Sequence, residues 1–271
     1  MKFAISNISL KPIDHLNDIE ALAEMGFQGL EVALSRVFAE DWNNPSSVQV
    51  DAYRNGIETM GLSIIGLHSL FWNHPEYTMF GDINVKNKTL DFLVNLSAVC
   101  RDLGGKSLIY GSQTARTKGQ RTMGEANAEA ADFFGLLCKR IEGHDTCFCL
   151  EPLESKVADY VHSVLESQAL VKSVNHPGLR VQIDAKAMAA ANEIQLEIFK
   201  AVRNNLAHVH VNEPGFKVLG TSGFVDHKKI GACLKDIEYE GYVSIEQKMN
   251  DETNPLISIR KSARILMECY A

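Results

Sequence analysis

A chain of 271 residues, 45% hydrophobic and 23% charged, is long enough to bury a large core and fits one barrel-sized domain or two ordinary ones. Its formal net charge of -7, with no basic run to set against it, repels phosphate backbones and argues against a nucleic-acid partner. No apolar stretch approaches the ~20 residues that span a bilayer, and MKFAISNISLKP turns polar too soon for a secretion signal, so neither a membrane nor an exported location is expected. The six cysteines are scattered through apolar segments, which suits free thiols in a reducing, cytoplasmic setting.

The first β-rich run is KFAIS at 2–6, followed by helical spacing near 14–25. GLEVAL at 29–34 precedes a helical segment at 47–60. SIIGLH at 63–68 precedes apolar residues at three- and four-residue spacing, Leu90, Leu93, Val94, Leu96, Val99, Cys100 and Leu103, closed by Gly104-Gly105. KSLIYG at 106–111 leads to 123–142, CFCLEP at 147–152 to 160–175, and LRVQID at 179–184 to 190–204. LAHVHV at 206–211 and YVSIE at 242–246 lead to 226–238 and 255–270. Strand and helix therefore alternate through eight units, which predicts a parallel sheet with helical crossovers and, at this length, a single-domain (β/α)8 TIM barrel over 1–271. An open dinucleotide-binding sheet is disfavoured, because the first strand runs into Ser6-Asn7-Ile8-Ser9 where a glycine-rich turn belongs.

In such a barrel the active site lies at the C-terminal ends of the strands. The last four strands end in Glu151, Asp184, His210 and Glu246. Singly, a strand-end aspartate caps the next helix and a strand histidine is a hydrogen-bonded core residue. Together, three carboxylates and an imidazole converging on one rim repel each other unless a cation neutralises them, so the quartet is expected to bind one divalent metal. Oxygen-rich ligation with one nitrogen suggests manganese, magnesium, cobalt or zinc without choosing among them. Period-two alternation puts Cys149, Gln182, His208 and Ser244 one layer below, where they can orient the ligands; His208 is expected to be a core residue there. In CFCLEPLE the two thiols are expected to fill the barrel interior and Glu151 to carry the chemistry.

On these residues the chain resembles the xylose isomerase-like (endonuclease IV-like) TIM-barrel superfamily, in particular its sugar isomerase and epimerase branch similar to D-tagatose 3-epimerase. The carriers are GFQGLEV around Glu31, GLHS with His68, YGS at 110–112, CLEPL with Glu151, QID with Asp184, HVHVNE with His210, GTSGFVDHKKI at 220–230 and GYVSIEQ with Glu246. The resemblance implies that the quartet holds the metal and that Glu151 and Glu246 are the catalytic acid/base pair. A small sugar substrate would lose and regain a proton beside its carbonyl through an enediolate. It also allows a homo-oligomer. The chain departs from the pattern at Ala187, where many epimerases carry histidine, and at Lys217, where arginine is usual; Glu213 stands for the usual aspartate. Substrate-binding candidates are His68, Trp72, Glu154 and Lys217. Glu31 is expected to be an inward-facing support, and Arg116 either an anion contact or a surface residue. The alternatives are a metal-dependent dehydratase or lyase on a keto-inositol-like substrate, an endonuclease IV-like hydrolase, a non-catalytic sugar-binding barrel, and Schiff-base chemistry at Lys186, otherwise a solvated loop lysine.

Overall fold

The computed structural model describes residues 1–39 and 41–271. Eight parallel strands close a barrel in chain order: β1 (Lys2–Ser6), β2 (Gly29–Val32), β3 (Ser63–Leu67), β4 (Ser107–Tyr110), β5 (Cys147–Leu150), β6 (Leu179–Asp184), β7 (Leu206–Val211) and β8 (Tyr242–Ile245). Alternation along each strand divides the side chains. Ile5, Leu30, Leu67, Leu108, Val209 and Val243 join the apolar core shared with the surrounding helices. Between them, Glu31, Cys149, Gln182, His208 and Ser244 are buried on the other face, inside the barrel.

The helices are α1 (Ile19–Glu24), α2 (Ser47–Thr59), α3 (Ile83–Asp102), α4 (Met123–Arg140), α5 (Val164–Val174), α6 (Ala185–Ala190), α7 (Leu196–Val202), α8 (His227–Asp236) and α9 (Pro255–Tyr270). Local chemistry sets their starts. Capping boxes, Ser46 with Gln49 and Thr122 with Glu125, open α2 and α4, while Asp82 accepts two backbone N–H groups at the head of α3. One boundary differs from the sequence expectation. The helical segment foreseen over 190–204 holds only α7; α6 begins directly at the end of β6 and stops at Ala190, and Asn192 turns left-handed (φ 55°) between the two. No described helix is long and apolar enough to cross a membrane.

The strands are staggered, as a barrel requires. Gln182 pairs with His208 and Asp184 with His210, but His210 pairs with Ser244, so Glu246 stands one inward-facing step higher than its neighbours. Glu151 and Glu246 each lie one residue beyond the last residue of their strands. All four predicted ligands therefore reach the same end of the barrel from adjacent strands.

Candidate active site

One potential ligand atom from each of Glu151, Asp184, His210 and Glu246 lies within 4.8 Å of the other three. The carboxylates line a cavity of about 480 Å³ at the strand ends, and His210 is completely buried behind them. His210 Nε2 sits 2.8 Å from Glu31 Oε2, which also accepts a hydrogen bond from Ser244 Oγ at 3.0 Å. With that nitrogen tied to Glu31, Nδ1 points into the cluster, 3.3 Å from Glu151 Oε1 and 3.6 Å from Glu246 Oε2. His208 is a buried core residue whose Nε2 is 3.2 Å from Glu31 Oε1.

Charge explains why these groups need each other. Burial alone would raise the Glu31 carboxyl, but His210 and His208 outweigh it and hold Glu31 well below the usual carboxylate range. Burial likewise pulls His210 down, yet Glu31, Glu246 and Glu151 raise it well above an ordinary histidine. At the mouth the balance reverses. Burial, then repulsion from Glu151, lifts Asp184 to about 6. Burial and the charges of Glu151, Asp184 and Glu31 lift Glu246 to about 8 against the pull of His210. A carboxylate cluster this strained by mutual repulsion, with one imidazole nitrogen aimed into it, fits a hard or borderline divalent cation.

Neighbouring groups fix these side chains. Asp184 both caps and faces the cluster: Oδ1 accepts the Ala187 N–H at 2.7 Å, and Oδ2 accepts from Asn212 Nδ2 at 2.6 Å. Asn212 also donates to Glu246 Oε2 at 3.0 Å and accepts the Lys186 N–H at 3.1 Å, so one amide ties the ends of β6, β7 and β8 together. Sequence reasoning passed over Asn212; its signal was its place two residues after His210, on the same face. Gln182 donates to Glu151 Oε1 at 2.9 Å. Gly111 leaves the room that Glu151 occupies, since a Cβ there would fall on its Oε2.

Arg116 is neither on the surface nor free to meet an anion. It is completely buried, and its guanidinium donates to the carbonyls of Tyr110, Ser112 and Glu151. It is a clamp that joins the β4 loop to the backbone of Glu151. Arg116→Met leaves those carbonyls without their charged donor and is expected to cost about 3 kcal/mol in chemical denaturation; an unchanged midpoint would contradict the clamp.

The substrate candidates divide. His68 lines the cavity, with Nε2 2.6 Å from Ser6 Oγ and Nδ1 3.9 Å from Glu246 Oε1. Burial pushes its pKa down to about 4 despite Glu31 nearby, so it is a neutral hydrogen-bonding group. Trp72 lines the outer cavity, 57% exposed. Glu154 also lines it, 2.6 Å from Lys156 and 3.4 Å from Lys186. Lys217 does not belong with them. It is exposed and outside the cavity, because Gly215 (φ 73°) and Phe216 (φ 56°) turn left-handed and bring the Phe216 ring to the cavity wall instead. That conformation costs an aromatic residue about 1–3 kcal/mol; hydrogen bonds to the Phe216 carbonyl from Lys248 N–H and the Asn250 amide hold it. Lys186 is half-buried in the cavity wall, not a solvated loop residue. Glu213 is buried away from the cavity, accepting from Gly220 N–H and Ser222 and facing His227 at 3.1 Å, and so pins the loop before α8.

A second group with ligand spacing, Glu31, His208 and His210, shares His210 with the quartet and is completely buried beneath it. It does not line the cavity.

Residues 19–269 match the family model of the xylose isomerase-like TIM barrel. The chain belongs to this family. This xylose isomerase-like barrel is 26% identical over 234 residues to D-psicose 3-epimerase of Ruminiclostridium cellulolyticum, covering 86% of this chain and 78% of that protein. Its fold matches the solved D-psicose 3-epimerase of Clostridium cellulolyticum H10 with D-tagatose at a TM-score of 0.83 and 19% identity, over 99% of this chain and 98% of the other. It also matches 3-keto-D-glucoside 4-epimerase of E. coli at a TM-score of 0.82 and 18% identity, over 99% and 100% of the two chains.

Proposed function

We propose that the protein is a divalent-metal-dependent sugar epimerase of the isomerase class, acting on a ketose or related keto-sugar by moving a proton on the carbon beside the carbonyl. The observation that carries this reading is the pair Glu151 and Glu246, on non-adjacent strands of one ligand cluster and facing one cavity. The similar proteins named as psicose and keto-glucoside epimerases support the substrate class. The carboxylate-rich wall and the net charge of -7 favour a small neutral molecule over a polynucleotide.

Glu151, Asp184, His210 and Glu246 would hold the ion, manganese first among the candidates. When bound, it would polarise the substrate carbonyl and a neighbouring hydroxyl and so acidify the intervening C–H. Glu151 then takes the proton from one face, the substrate passes through an enediolate, and Glu246 returns a proton to the other face; the reverse reaction exchanges the roles. Asn212 and Gln182 keep the two carboxylates in place during transfer. His68, neutral and held by Ser6, is available to a substrate hydroxyl.

The test is a panel of ketoses with the chelator-stripped protein, before and after manganese is restored. Epimer formation lost on stripping and regained with manganese is the expected result. Turnover indifferent to the chelator, or a borohydride-trapped adduct on Lys186, would overturn the reading.

Binding of the ion should also depend on pH. Asp184 at about 6 and Glu246 at about 8 hold protons that the cation must displace, as does the raised His210. Proton occupancy falls as pH rises, so manganese affinity is expected to tighten between pH 6 and 8, by about tenfold per pH unit for each proton displaced. Calorimetry in buffers of different ionisation enthalpy reads the protons released; a flat pH profile would contradict the site.

A further inference from the structure

We infer that Lys186 and Glu154 form the subsite that recognises two neighbouring hydroxyls of an uncharged polyol. This rests on the sugar reading above and goes beyond it by naming which groups select the substrate and what charge it carries.

Both side chains line the cavity, together with Phe216 and the methyl of Ala187. Lys186 Nζ lies 3.4 Å from Glu154 Oε1 and 5.3 Å from the centre of the Phe216 ring. The other Glu154 oxygen faces exposed Lys156 at 2.6 Å, which anchors the carboxylate from outside. The left-handed turn at Gly215–Phe216 places the ring beside the ammonium while sending Lys217 to solvent. Ala187 adds no polar atom, so on this wall the polar contacts fall to Lys186 and Glu154.

The pair is matched to a diol. An ammonium carries three donors and a carboxylate only acceptors, whereas each sugar hydroxyl both donates and accepts. Lys186 donates to one hydroxyl and Glu154 accepts from its neighbour. An anionic end group is disfavoured here. Four carboxylates, Glu151, Glu154, Asp184 and Glu246, line the cavity against one cationic side chain, Lys186, which is already beside a carboxylate. Arg116 is occupied by backbone carbonyls.

The test uses the metal-loaded full chain, its Lys186→Met variant and its near-isosteric Glu154→Gln variant. Neutral ketoses and their phosphate esters are compared by calorimetric binding and by kcat and KM. The wild type is expected to favour the neutral sugar, and each variant to raise its Kd and KM about tenfold, with kcat changed by less than about threefold. Preference for the phosphate ester, no binding of any neutral ketose, or unchanged Kd and KM in either correctly folded variant would overturn the subsite. Weakened sugar binding in the variants, alongside a wild type that forms no epimer, would support the subsite while overturning the proposed reaction, so the two failures are separable.

Discussion

Glu151→Gln and Glu246→Gln are each expected to lower epimer formation by about 10²–10⁴-fold, the range that a positioned proton-transfer group supplies. The substitution keeps the size of the side chain and an oxygen that can ligate, but removes the site that takes the proton. Because each glutamate serves one face of the substrate, neither can replace the other. Metal content measured alongside activity separates loss of the proton-transfer group from loss of the ion. A variant that retains its metal and turns over within a factor of about three would remove that glutamate from the acid/base pair.

Glu31→Gln is expected to weaken manganese binding by about 10–100-fold, although Glu31 is not in the quartet. The buried carboxylate accepts from His210 Nε2 and Ser244 Oγ and faces His208, so its charge fixes which imidazole nitrogen carries the proton and which way the ring points. An amide in its place keeps one acceptor oxygen, which can serve His210 and Ser244 as Oε2 does, but it carries no charge and turns its NH2 group toward a histidine nitrogen where the second carboxylate oxygen stood. His210 loses the partner that keeps Nδ1 directed at Glu151 and Glu246. Electron paramagnetic resonance of added manganese gives the affinity directly. A dissociation constant within about twofold of wild type would mean that packing alone orients His210.

The barrel was legible because a parallel strand buried on both faces and an amphipathic helix leave different periodicities, and eight such pairs succeed one another. The convergence of four strand-end residues was legible for a related reason: a polar residue that terminates an apolar strand has few structural uses, and four in succession share one rim. Other features depend on contacts that no local pattern encodes. Glu31 and His210 are 179 positions apart and meet only because closure of β8 on β1 brings β2 and β7 around one barrel interior. Arg116 reads as a loop cation, yet three backbone carbonyls satisfy it and permit complete burial. The exchange of Lys217 for Phe216 at the cavity wall follows from a left-handed aromatic residue, a conformation that intrinsic preference disfavours. The break between α6 and α7 has the same kind of origin, a single left-handed Asn192 inside an otherwise helical pattern.

On the proposed reaction a proton beside the carbonyl leaves for one glutamate and is replaced from the other face. Nuclear magnetic resonance of ketose recovered from deuterated water after incubation with the manganese-loaded protein tests it most directly. One deuterium on the carbon beside the carbonyl of the epimer formed, absent with Glu151→Gln and with Glu246→Gln, is the predicted result. Epimer formed with its original hydrogen retained at that carbon would contradict it.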